Sequence, residues 1–216
     1  INDDGINPCN SRNVVIRRCF IRTIDDCVAL KGKNRADGDV DGIRVEQSTL
    51  WTDLARVTLL GHESAAPFMR NIVYRDLDII HYGEWPAFLI EVSDNMQLAN
   101  VLFENIRVRG EIHPLQREAN TVGQQWLAVV RPFVTMYSEN STWGSIDGLT
   151  FRDVSLEGPP GKYGVMVEGA ADHGNRRIRN VLFENVAING ERLYRQSQRV
   201  ILGPWLRPAD DHVSFR

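Results

Sequence analysis

The chain is short of lysine, of cysteine and of long apolar runs, and each shortage narrows what it can be. Only three of its 216 residues are lysines (Lys31, Lys33 and Lys162); arginine supplies the other 22 of 25 basic residues. With 28 acidic residues the formal net charge is -3. No block collects like charges, so the electrostatic footprint of a nucleic-acid or acidic-membrane binder is missing. The apolar runs at 57–60 and 87–90 are far shorter than the roughly 20 residues of a membrane helix. Gly 17 and Pro 9 are ordinary counts, which excludes collagen-like and low-complexity chains. The three cysteines, Cys9, Cys19 and Cys27, are unevenly spaced and all lie near the start of the chain. That odd count and spacing fit neither a disulfide framework nor a zinc site, and the residues read as buried thiols.

What the chain does have is an internal repeat. Six segments begin alike: Asn13-Val14-Val15-Ile16, Gly42-Ile43-Arg44-Val45, Asn71-Ile72-Val73-Tyr74, Asn100-Val101-Leu102-Phe103, Gly148-Leu149-Thr150-Phe151 and Asn180-Val181-Leu182-Phe183. The first three intervals between leaders are equal, the fourth is much longer, and the fifth returns nearly to the original spacing. Each leader is Asn or Gly, the residues that most easily take a left-handed turn conformation. Apolar residues follow at +1, +3, +6 and +8, while +5 is polar throughout: Arg18, Gln47, Asp76, Asn105, Asp153 and Asn185. Alternation with one slip of phase predicts two short strands about a bend rather than a helix. A second apolar run follows in each repeat, for example at 27–30, 57–60 and 87–90. Three short strands per period of about 29 residues describe a coil of a parallel β-solenoid. Leucine-rich spacing, the rival solenoid signature, is absent.

The expected fold is therefore all-β: a parallel β-helix of about six coils plus a partial N-terminal coil, forming one domain over 1–216. The long fourth interval, from Asn100 to Gly148, breaks the period. Its excess predicts a long loop insertion at about 111–143. Counting back one period from Asn13 runs past residue 1, so residues 1–12 read as the tail of a coil and the chain as a fragment of a longer β-helix. Phe103, Phe151 and Phe183 fall in the +3 column and are expected to stack inside.

Asn2-Asp3-Asp4-Gly5-Ile6 and Thr23-Ile24-Asp25-Asp26-Cys27 lie close to one solenoid turn apart, allowing for a turn without its loop. Stacking of successive turns then places Asp4 beside Asp25 and Asp26. Carboxylates about 5 to 10 Å apart repel one another unless a proton, a cation or a substrate intervenes. Such a group splits its pKa values into one protonated acid and one ionised base, the pair a glycosidase needs. Two other readings of the same residues stand beside this one: turn-capping aspartates, and a calcium site built from hard oxygen ligands.

Asn-Asp-Asp-Gly-Ile, then Asp-Asp-Cys-Val-Ala-Leu-Lys, then Gly61-His62 resembles the polygalacturonase-type glycoside hydrolases of family 28, whose fold is a right-handed parallel β-helix. The resemblance implies that Asp25 is the general acid, that Asp4 and Asp26 activate the attacking water, and that His62 sits beside the acid. It implies inverting hydrolysis of a pectin-like or related plant or algal polysaccharide by a monomer without cofactor or metal, secreted or periplasmic. Lys31, Glu63 and Glu91 are candidate substrate contacts, as are Trp85 and Tyr82, which sit in a loop just before 87–90. Trp51, Trp126 and Trp143 are further aromatics able to stack on sugar faces.

Two departures from that family matter. Glu63 stands where the family has a small residue. The family's carboxylate-binding Arg-Ile-Lys block aligns with Leu89, Ile90 and Glu91, which loses two cations and adds an anion. A neutral central sugar is expected, unless Arg56, Arg70 or Arg131 holds a carboxylate from elsewhere. Dextranase- and isopullulanase-type hydrolases of neutral glucans remain alternatives. So do a calcium-dependent pectate lyase and a non-catalytic glycan-binding β-helix.

Overall fold

The computed structural model describes residues 3–83, 85–110, 125–159, 163–170, 178–203, 205–207 and 212–216. All six repeat leaders take a positive φ, from 52° at Asn180 to 79° at Gly148, and so do all six +5 residues, from 50° at Gln47 to 57° at Arg18. Asn, Asp and Gly tolerate this left-handed conformation, and the leaders are drawn from Asn and Gly alone. Arg18 and Gln47 adopt it without that chemical ease. Each period therefore turns two corners at fixed places.

The corners do not break the hydrogen-bond ladder. Where two short strands per repeat were expected, the structure has single bent strands: Arg44–Thr52, Phe68–His81, Gln97–Arg109, Ser145–Glu157 and Ile178–Ile188. Only the first repeat splits, into Val15–Arg17 and Phe20–Thr23, both paired with Arg44–Thr52. These strands stack in parallel into one sheet. The second apolar runs form a six-stranded parallel sheet: Val28–Leu30, Thr58–Leu60, Phe88–Val92, Trp126–Pro132, Gly164–Val167 and Val200–Leu202. The result is a parallel β-helix of about five turns, with almost no helix. Six leaders bound five full periods, which is why the count is one below the six coils expected. No helix among the described residues is long and apolar enough to cross a membrane.

Between the two sheets lies one core. Register places Tyr74, Phe103, Phe151, Phe183 and Phe215 on successive turns. Their rings stack with centroids 4.9, 4.7, 5.0 and 4.8 Å apart. Each such pair contributes about 0.5–1.5 kcal/mol beyond area burial. Tyr74 carries the column's only hydroxyl, fully buried and without a hydrogen-bond partner among the described residues. An unsatisfied buried polar atom costs about 1–3 kcal/mol. Tyr74→Phe is expected to raise stability by about 1 kcal/mol in urea unfolding; a loss of stability would show that the hydroxyl is satisfied.

Two expectations need correction. The insertion is not one loop across 111–143: Trp126–Pro132 is a strand in register with Phe88–Val92, because its continuous apolar run continues the second sheet. Residues 111–124 lie outside the described residues, and 133–143 follow the strand as a separate loop. That loop is pinned by Asp94, whose carboxylate accepts the backbone N–H groups of Glu139 and Asn140 at 2.8 and 2.9 Å. Nor are the cysteines uniformly buried. Cys27 is, but Cys9 is exposed and Cys19 partly so.

Candidate active site

The aspartates come together because the backbone of the first motif adds to the second sheet. Gly5 N–H donates to the Asp26 carbonyl at 2.8 Å and Ile6 N–H to that of Cys27 at 3.0 Å. A side chain at Gly5 would meet the Cys27 carbonyl at 2.5 Å, so this Asp-Gly pair is a requirement of close backbone approach. Asp25 is fixed from behind: the hydroxyls of Thr23 and Thr52 both donate to its carbonyl. One carboxylate oxygen from each of Asp4, Asp25 and Asp26 lies within 4.8 Å of the others.

The three acids differ in surroundings. The Asp26 side chain is 4% exposed, that of Asp4 12% and that of Asp25 28%. Burial pushes the Asp26 carboxyl up to about 6, partly opposed by Arg56. Burial would raise Asp4 as well, but hydrogen bonds from Asn7 at 2.7 Å and Lys31 at 3.0 Å outweigh it and hold that carboxyl below its ordinary value. The arrangement thus contains one group inclined to keep a proton, Asp26, and one inclined to stay ionised, Asp4. Its most accessible member is Asp25. The same three oxygens have the spacing to hold a cation. Lys31 on Asp4 and Arg56, 3.4 Å from Asp26 and 3.8 Å from Asp25, already supply positive charge there.

Arg56 joins the acids to a groove. Its guanidinium lies 4.9 Å from the ring centre of Trp85, which is half exposed. Beyond it the outer face of the second sheet carries an apolar row of Ala29, Leu59, Leu89 and Val129, with Trp126 and Met166 packed against it. Leu89, Val129, Trp126 and Met166 floor a cavity of about 690 Å³, whose lining also includes Arg56, Trp85, His62, Glu91 and Arg131. Phe133, Thr135, Met136 and Tyr137, from the loop after Trp126–Pro132, form its wall.

His62 follows Gly61, whose φ of 92° turns the chain out of the strand Thr58–Leu60. Its Nδ1 is 2.6 Å from Glu91, its carbonyl accepts the Thr135 hydroxyl at 2.8 Å, and its ring meets Tyr137 edge-on at 5.4 Å. The expected place of His62 beside the acid is corrected: its partners are Glu91, Thr135 and Tyr137. Glu91, where the family has lysine, draws the imidazole along the groove instead. Glu91 is buried and also receives Arg131 Nε at 2.8 Å; burial raises its pKa, but His62 and Arg131 outweigh this and keep it low.

The other sequence candidates divide. Lys31, almost fully buried, bridges Asp4 and Glu63, and Glu63 also meets Lys33 at 3.5 Å, so Lys31 and Glu63 form a ladder supporting Asp4. Trp85 lines the groove. Tyr82 does not: it is wholly buried in the core. The neighbouring Gly83 packs so closely on Leu54 that a Cβ there would stand 2.3 Å from its backbone carbon, and the tight turn carries the phenol inward. Of the other aromatics, Trp126 reaches the groove, while Trp51 stacks on His81 at 5.1 Å and Trp143 bridges to Ser93.

Sequence reasoning missed four contributors: Asn7 on Asp4, Glu168 on Arg131, Thr135 and Tyr137. Asn7, close after Asp4 in the chain, was readable; the rest lie beyond the break in the period. Comparison with protein-family models, curated proteins and solved structures returned no match for this chain.

Proposed function

We propose that the protein is a polysaccharide hydrolase of the polygalacturonase-like type, acting by inversion outside the cytoplasm. The observation that carries this reading is the group of three aspartates, their nearest oxygens within 4.8 Å, in which burial raises the proton affinity of Asp26 while Asn7 and Lys31 lower that of Asp4. Asp25, the accessible member, donates its proton to the glycosidic oxygen as that bond to the anomeric carbon breaks. Asp26, buried behind it, keeps a proton within the group at acidic pH. A gap of up to 4.8 Å between Asp4 and Asp26 admits one water hydrogen-bonded to both. Ionised Asp4 takes the proton of that water as its oxygen attacks the opposite face of the sugar. Lys31 and Asn7 keep Asp4 in the form the step requires. The acid Asp25 and the base Asp4, also within 4.8 Å at their nearest oxygens, are closer than the roughly 6.5–9.5 Å usual for inverting pairs, which makes product stereochemistry an informative readout.

The test is a reducing-sugar screen on pectic, glucan and algal polysaccharides, followed by proton NMR of the first product. Hydrolysis with inverted anomeric configuration, undiminished by chelator, is the expected result. Unsaturated products that vanish with chelator would assign a calcium-dependent lyase instead. No hydrolysis of any polymer would leave a binding module.

A further inference from the structure

We infer that the groove selects neutral sugars and excludes uronates and other anionic glycans, an inference that rests on the polysaccharide reading above. Of the three arginines that could serve a substrate carboxylate in place of the cations replaced by Leu89 and Glu91, Arg56 and Arg131 line the groove and Arg70 does not, and all three are already matched. Arg131 is clamped by Glu91, through Nε at 2.8 Å and Nη2 at 2.5 Å, while its Nη1 meets Glu168 at 3.2 Å. Its face also covers Phe133, with the ring centre 3.9 Å away. Arg56 lies between Asp25 and Asp26 and stacks on Trp85. Arg70 is held by Asp41 at 2.9 Å and Asp39 at 3.2 Å.

The two guanidinium cations of the groove lining, Arg56 and Arg131, are thus matched by four carboxyl groups, Asp25, Asp26, Glu91 and Glu168, of which Glu91 lines the groove itself. An arriving uronate would find no cation there whose charge is unmatched, and would stand near Glu91 and Glu168 in a partly dry site where like charges repel strongly. A neutral pyranose meets no such penalty. Its C–H face can lie on Trp85, Trp126 and the Leu89–Val129 floor, and its hydroxyls can reach the remaining polar atoms of the lining. Glu91 is thus a specificity-determining residue. By occupying Arg131 it removes the means of binding a carboxylate.

The experiment uses the Asp25→Asn protein, so that bound glycans survive, on an array of neutral, uronate-bearing and sulfated oligosaccharides. Calorimetry on oligogalacturonate and on its fully methyl-esterified form then compares one backbone with and without charge. The expected result is that array ligands are neutral, that the ester binds at least tenfold more tightly than the acid, and that Glu91→Gln narrows this preference at least threefold by releasing Arg131. Should Glu91→Gln fail to give a folded melting transition, the half-buried Glu168→Gln provides the same test, with a smaller narrowing. Preference for acidic ligands, equal binding of acid and ester, a preference unmoved by the folded variant, or no binding to any glycan would each overturn the inference. Hydrolysis is scored separately: a neutral ligand bound but never cleaved by the unmutated protein sinks the hydrolase reading alone.

Discussion

Asp25→Asn is expected to lower kcat on the best substrate by roughly 10²- to 10⁴-fold, the range by which positioned general acids accelerate such steps. The amide matches the carboxylate in shape but has no acidic proton for a departing alkoxide. The local structure should survive. Asp25 Oδ1 accepts the Asp26 N–H at 2.9 Å, which an amide oxygen can do, and the threonine anchors grip the Asp25 main chain rather than its side chain. KM should therefore change far less than kcat. Retention of more than half the activity, with the thermal transition unchanged, would place the acid elsewhere in the molecule.

Asp26→Asn is expected to do something rarer: abolish most activity while making the fold more stable at neutral pH. The folded carboxyl titrates at about 6, above its ordinary 3.8, because burial penalises the charge. The folded state then binds more protons than the unfolded chain across this window, so stability falls as pH rises from about 4 to 6. The full shift corresponds to about 3 kcal/mol at pH 7. The asparagine is neutral at every pH and still offers an oxygen to the Arg56 N–H now bound at 3.1 Å. The value of about 6 already includes the opposing attraction of the Arg56 guanidinium at 3.4 Å, so the net gain should be about 1–3 kcal/mol at pH 7 and close to zero at pH 4. Asp4, Glu63 and Glu91, held below their ordinary values, act oppositely: they stabilise at neutral pH and lose that contribution in acid. They are common to both proteins, so the difference between two urea-unfolding series isolates Asp26. A variant less stable than its parent at pH 7 would show that Arg56 fully compensates the buried charge.

How much of this was readable depended on the period. Asn and Gly leaders and the polar +5 residues announced the corners, and the structure puts all twelve in the left-handed region. Stacking of successive turns also brought Asp4 to Asp25 and Asp26, although this first turn, from Ile6 to Val28, is shorter than the next, from Val28 to Thr58. Counting fails beyond the insertion, where Arg131 comes to rest on Glu91 at a separation well beyond the regular period. The groove wall, with Thr135 and Tyr137, comes from the same stretch and has no repeat partner to predict it. Tyr82 misled for a different reason: a polar-tipped aromatic beside glycine looks like a loop residue, and only the packing of Gly83 on Leu54 reveals an inward turn. Of the partners of His62, Thr135 and Tyr137 belong to that wall, whereas Glu91 was hidden by chemistry rather than by register. Glu91 sits at the expected strand position, but its charge, opposite to the family's lysine, attracts the imidazole.

The pH dependence of kcat/KM for the unmutated protein bears most directly on the idea that these neighbouring acids work as one proton-holding unit. An acidic optimum is predicted, with the rate falling as pH rises through about 6, where Asp26 gives up its proton. A rate that stays constant from pH 5 to 9, in about the range where that proton is lost, would contradict it.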